Sequence, residues 1–276
     1  MTFSARATAI KTLLNTMDSG VTLALRNIRL QMREHALGYA WALIIPMLYA
    51  VCYIFIKREL TGSAADSSDQ AGWDILRAFA GITLFQCWMQ IVQEMSNFIR
   101  RQRGLLRGLD VGPTPFVLAI VFEGGIAVLI RSVLIILAIP LLGLAFPSGI
   151  YPWLIFIACI LALLLSATTI GLLLAPWSVL YADVRKALTS MNLPIVLISP
   201  IFYPATERLD SMLYWINIAN PMASPLAVLS SVLQGQSGSV YMLPMLVASG
   251  ISLLLLSWLL VLLRRQVPIL LERMGN

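Results

Sequence analysis

Two long stretches of this chain, Ser132–Ala182 and Ser211–Leu263, contain no Asp, Glu, Lys or Arg. A helix that crosses the hydrocarbon core of a bilayer needs about 20 apolar residues. Each stretch therefore has room for two crossings, or for one crossing and a re-entrant piece. The rest of the chain agrees: 59% of its 276 residues are hydrophobic and 12% charged, with a mean hydropathy of +0.86. Soluble domains carry roughly a quarter charged residues, so this chain lacks the polar side chains to cover a water-soluble fold of its size. The expected fold class is an all-α polytopic membrane protein.

Hydropathy predicts six spans, at 37–57, 75–97, 114–140, 152–180, 187–204 and 240–263. The fifth carries Pro194, Pro200 and Pro204 and is expected to be kinked or broken near its end. Lys and Arg in the connecting segments set the orientation. With the N-terminus in the cytoplasm, fourteen fall inside and four outside, so both termini are expected to be cytoplasmic. Between 205 and 235 a nearly uncharged, Pro-rich and aromatic segment is too long for a turn. A full crossing there would put the basic C-terminus on the wrong side. It reads as two short helices dipping in from the external face, which requires protein or water around them. The expected organisation is a cytoplasmic N-terminus (1–36), a six-span domain (37–263) and a cytoplasmic tail (264–276). No internal repeat is evident. The first eighteen residues lack an apolar h-region and a cleavage site, so no removable signal peptide is expected.

Four features carry chemistry. In the first, Val21, Leu25, Ile28 and Met32 form an apolar stripe beside a basic stripe of Arg26, Arg29 and Arg33. That pattern fits a helix lying in the membrane interface; the alternative is a basic segment that only fixes topology. Gly38 then allows a turn into the first span, with Tyr39 and Trp41 at headgroup level. In the second, the loop "NFIRRQRGLLRGLDVGPTP" (Asn97–Pro115) sets Arg100, Arg101, Arg103, Gly104 and Arg107 around the apolar pair Leu105 and Leu106. A short helix about 98–112 docking on a cytoplasmic partner would explain the pair; a plain topology signal would not need it. In the third, Glu94, Glu123 and Arg131 lie within spans and must face protein or a cavity. Glu123 and Arg131, eight residues apart, are about 12 Å apart along a helix and cannot pair. A structural role is preferred over a proton relay. In the fourth, Tyr49, Tyr53, Phe79, Phe85 and Trp88 cluster towards the external half. They are candidates for stacking on sugars, set against an aromatic belt or simple packing.

Some chemistry is excluded. There is no GxxxxGK[ST], HExxH or GxSxG motif, so the chain carries neither a P-loop nor a recognisable hydrolase site. Cys52, Cys87 and Cys159 read as small buried hydrophobes, and a single histidine argues against a His-based metal site. No enzyme activity, cofactor or nucleic-acid partner is expected of this chain.

The order of motifs resembles a known family. An amphipathic basic helix leads into "LGYAWALIIP" (Leu37–Pro46), followed by "LLRGLDVGPTP", "YADVRKAL" (Tyr181–Leu188), "SPIFYPATE" (Ser199–Glu207) and "INIANPMASPL" (Ile216–Leu226). Together these resemble the permease subunits of ABC exporters for lipid-linked polysaccharides, the O-antigen, capsule and teichoic acid type. The resemblance implies a homodimer in the bacterial cytoplasmic (inner) membrane, with a separate ATPase subunit that binds ATP and Mg. It implies a coupling helix over 100–108 and an interface helix over 20–35 that helps receive the substrate. It also implies external gate helices over 205–235, with Tyr203, Pro204, Asn220 and Pro221 at the gate. Membrane lipids and a lipid-linked polysaccharide, O-antigen of lipopolysaccharide or a related surface glycan, would be the other partners. The alternatives are an ABC permease for a drug or another lipid, an ion-coupled secondary transporter using Glu94, Glu123 or Arg131, and a transferase acting on polyprenyl lipids.

Overall fold

The computed structural model describes residues 17–29, 68–108, 112–236 and 239–273, with scattered helical positions between 41 and 55. Every regular element among them is a helix. The elements are α1 (17–29), α2 (Ser68–Arg101), α3 (Arg103–Gly108), α4 (Thr114–Leu141), α5 (Tyr151–Leu180), α6 (Asp183–Ser190), α7 (Asn192–Ile198), α8 (Met212–Ala219), α9 (Ala223–Leu233) and α10 (Met242–Arg273).

Four of these, α2, α4, α5 and α10, are long and apolar enough to cross a membrane. The pair α8 and α9, bent by 105° at a short break, counts as a fifth if read as one span. Six spans were expected. The first, 37–57, falls largely outside the described residues. The fifth, 187–204, is not a single helix. Met191 ends α6 and starts α7, and Ser199, held extended at ψ 148° before Pro200, ends α7. A residue preceding proline is pushed out of the helical region by the ring, so α7 ends where Pro200 follows Ser199.

The least apolar span lies at the centre. The most apolar window of α2 has a hydropathy of 1.4 and is 78% buried, whereas that of α10 reaches 2.5 and is 11% buried. A helix surrounded by lipid must be apolar on all sides, whereas one surrounded by protein can carry polar side chains that find partners. On α2 these include Thr83 and Ser96, both fully buried. Trp88 Nε1 donates to Ser166 Oγ of α5 at 3.0 Å, and the Ser178 hydroxyl of α5 donates to the Ser96 carbonyl. Thr169 Oγ1 of α5 donates to the Ser252 carbonyl of α10 at 3.2 Å.

Small residues set the close approaches. A Cβ at Gly171 on α5 would lie 2.6 Å from the Met95 Cβ, and one at Gly124 on α4 would lie 2.8 Å from Ile91. Gly143 and Gly235, at φ +71° and +74°, close the C-termini of α4 and α9 in the left-handed conformation that glycine adopts without strain. Cys87 and Cys159 are buried and Cys52 is exposed.

Candidate functional site

The chemistry predicted from sequence gathers at the two ends of the bundle. At the basic end, α2 breaks at Gln102 and α3 turns away from it. Leu106 is 8% exposed and packs in a cluster with Phe98, Ile99 and Phe116, and with Val267, Leu270 and Leu271 of α10. Leu105 is half-buried against the same cluster, while Arg101, Gly104 and Arg107 are exposed. The hydrophobic pair that called for a docking surface thus finds part of it in its own chain. The helix of the last span continues to Arg273, into the segment 264–276 expected to form the cytoplasmic tail. The spacing Leu259, Leu263, Val267, Leu270 was the signal for this, since it keeps one face of a helix.

Arginines tie the helix ends together. Arg100 Nη2 donates to the Val179 carbonyl in the last turn of α5 at 2.9 Å. Arg107 Nη2 donates to the Leu271 carbonyl near the end of α10. Carbonyls in a last helical turn lack intrahelical donors and carry the negative end of the helix dipole, so cations suit them. Arg264 donates to Thr114 Oγ1 at the start of α4, at 3.2 Å from Nη2. Arg103 is half-buried.

Helix α1 lies against α4 through a face that hydropathy cannot register. Gly20 and Ala24 are buried, and a Cβ at Gly20 would meet the Leu118 Cβ at 3.0 Å. One turn further on, Asn27 Nδ2 donates to Glu123 Oε1 at 2.7 Å. Val21 and Leu25 face outwards, 38% and 48% exposed, beside the exposed Arg26 and Arg29. The helix therefore has three faces: small and polar towards the protein, apolar outwards, and basic. Arg33 and Tyr39 lie outside the described residues; Trp41 is exposed.

Between α1, α2 and α4 is an open cavity of about 180 Å³. Asn27, Glu94, Arg101, Gln102 and Glu123 line it together with Phe98 and Phe116. Glu94 accepts from Gln90 Nε2 at 2.9 Å, so each intramembrane acid has an amide partner rather than a base. Replacing Asn27 by Leu removes a polar tie between α1 and α4. Such a bond is worth about 1 kcal/mol. Amide hydrogen exchange over residues 17–29 is expected to accelerate about fivefold in that variant.

At the far end, the segment between α7 and α10 is held by polar side chains. Asn220 Nδ2 donates to Ser199 Oγ at 2.9 Å, and its Oδ1 accepts from the Met222 amide at 3.1 Å. This side chain and Pro221 together make the sharp turn between α8 and α9. The Tyr203 hydroxyl donates to the Ile198 carbonyl and Pro204 is exposed. Tyr241, 1% exposed, donates to the Thr206 carbonyl and packs on Tyr214 at a ring distance of 5.5 Å. Asn217 is fully buried, with its amide beside the phenols of Tyr203 and Tyr241. Sequence reasoning passed over Asn217 and Tyr241, which lie in plain apolar surroundings.

The aromatic candidates separate. Phe79, Phe85 and Trp88 are buried in the core, Tyr49 is exposed, and Tyr53 lies outside the described residues. Arg131 sits in the seam between α4 and α2 and is 6% exposed, well inside α4 rather than near its end.

No match is found among curated proteins. Residues 20–234 match the family model described as ABC-2 type transporter. That match runs from the helix seated on α4, through α2 to α8, to the end of α9. The chain accordingly belongs to the ABC-2 type transporter family, as a multi-pass membrane subunit of the kind that normally works with an ABC ATPase subunit.

Proposed function

We propose that this chain is the permease subunit of an ATP-driven exporter that moves a lipid-linked polysaccharide across the bacterial cytoplasmic membrane. The basic end faces the cytoplasm, two copies form the conduit, and an ATPase subunit docks beneath each. One observation carries the reading. An amphipathic helix is seated on α4 with its arginines outward, beside a cavity that has both polar and apolar walls. A lipid-anchored glycan needs an entry of this kind: cations at headgroup level for its phosphates, and a lateral opening where tail and sugar part. Arg26 and Arg29 take the phosphates, because Glu94 and Glu123 make the cavity itself unsuited to them. Arg101, Gly104 and Arg107, the exposed residues of the coupling segment, meet the ATPase. The pair α8 and α9, with Tyr203, Pro204, Asn220 and Pro221, closes the external end.

The test is reconstitution of the chain with its ATPase in lipid nanodiscs. A complex of two permeases and two ATPases is expected, with hydrolysis stimulated by a polyprenyl-diphosphate-linked oligosaccharide. Stimulation by small lipophilic compounds alone would move the cargo to drugs or other lipids. Transport driven by an ion gradient without the ATPase would overturn the mechanism.

A further inference from the structure

Helix α10 differs from the other spans in where it is held. It has 32 residues, about 48 Å at the helical rise, whereas the hydrocarbon core is about 30 Å thick. Its basic end projects beyond the lipid, and there Val267, Leu270 and Leu271 are buried in the same cluster as Leu106 while the Leu271 carbonyl accepts from Arg107. Its other end begins directly after Tyr241, which is buried at the gate against Tyr214, Asn217 and the Thr206 carbonyl. Between 246 and 258 no residue is buried, and an added Cβ at Gly250 would meet nothing within 4 Å. The helix is clamped at both ends, and its exposed middle is held on the α5 side, where Thr169 Oγ1 donates to the Ser252 carbonyl.

We propose that α10 is a push rod that joins the coupling segment directly to the external gate. The inference rests on the coupling and gate assignments proposed above and adds a mechanical link between them. Segment α3 has two outputs. One is its one-residue covalent link to α2 through Gln102. The other is the Arg107 bond to the Leu271 carbonyl, beside the cluster that buries Leu106 with Val267, Leu270 and Leu271. A displacement of α3 reaches α2 through the first and α10 through the second. Because α2 is packed on most sides and α10 on few, the same push moves α10 more readily along its axis. At the far end the movement shifts Tyr241 relative to Thr206 and Asn217. The Asn217 amide stands within reach of both phenols, so a shift of Tyr241 changes the polar contacts of this junction.

The test follows the gate rather than the cargo. In a Cys52→Ser background, Thr206→Cys is labelled by a membrane-impermeant maleimide in the reconstituted complex, with and without ATP. With the clamp intact, ATP is expected to change the labelling rate by about fivefold or more. With Leu271→Asn the change is expected to fall below about twofold while ATP hydrolysis continues, and Leu271→Met is expected to restore it. Val267→Asn gives the same reading if Leu271→Asn does not accumulate. Persistence of the ATP-dependent change in clamp variants would overturn the push rod and leave the gate assignment standing. Absence of any change with the clamp intact would remove the gate assignment and the rod together. Failure of both clamp variants to assemble with the ATPase would make the extension a structural element only.

Discussion

Replacing Gly171 by leucine is expected to prevent the chain from accumulating in folded form, and replacement by alanine to lower its melting temperature measurably. A Cβ at this position would stand 2.6 Å from the Met95 Cβ and 2.9 Å from the Val92 carbonyl oxygen of α2. One of these neighbours is backbone, and Val92 and Met95 are themselves fully packed, so neither side can yield without moving a helix. Overpacking of this kind typically costs 1–3 kcal/mol for one methyl group, by general estimates of about that size, and more for a branched side chain. The seam between α2 and α5 is the main contact of the bundle, and the cost falls there. Gly125 and Gly250 provide the control. Both lie within helices, and a Cβ at either meets nothing within 4 Å, so alanine at these sites is expected to be neutral or slightly stabilising. Fluorescence-detected size-exclusion chromatography after heating distinguishes the sites. Equal behaviour of Gly171→Ala and Gly250→Ala would show that the two helices separate freely at this point.

What could be read from the sequence follows from what hydropathy measures. It sees a helix by the lipid around it, so α4 and α5, with strongly apolar windows, were legible nearly to their ends, and α10 at its start. It does not see small residues. The stripe of Val21 and Leu25 was read as apolar and does face outwards, but the face that seats α1 is built from Gly20, Ala24 and Asn27. Those residues carry little hydropathy and act through close approach and one hydrogen bond. The charges Arg100 and Arg107 were read against membrane topology and a partner. Both also reach carbonyls in helix last turns of their own chain, contacts between residues 79 and 164 positions apart that no local pattern encodes. The apolar pair Leu105 and Leu106 called for a hydrophobic partner, but a sequence cannot say which surface supplies it. The spacing that continues α10 past Arg264 was visible, yet the basic pair Arg264 and Arg265 looked like the end of a span.

Replacing Arg131 by methionine is expected to raise the stability of the chain. The guanidinium lies in the seam between α2 and α4, flanked on its own helix by the buried Val128, Ser132 and Ile135. It reaches the Cys87 thiol across the seam, but its Nε and Nη1 atoms have no hydrogen-bond partner. Among the described residues no salt bridge to Arg131 is seen. Glu123, the acid on the same helix, is committed to Asn27. A charge at such depth costs about 2.5–3.5 kcal/mol even on lenient scales, and it cannot snorkel because it points into protein. Methionine conserves much of the volume and is flexible enough to fill the seam. Removing a buried charge in favour of an apolar side chain of similar size is neutral to stabilising by about 1–4 kcal/mol. A rise of a few degrees in the melting midpoint is therefore the expected result, with Arg131→Lys as the charge-retaining control. A fall would mean that the guanidinium holds the seam together through groups the closed bundle does not reveal. A rise accompanied by loss of export would separate the two roles: it would show that the chain keeps a destabilising charge in its core because the transport cycle uses it.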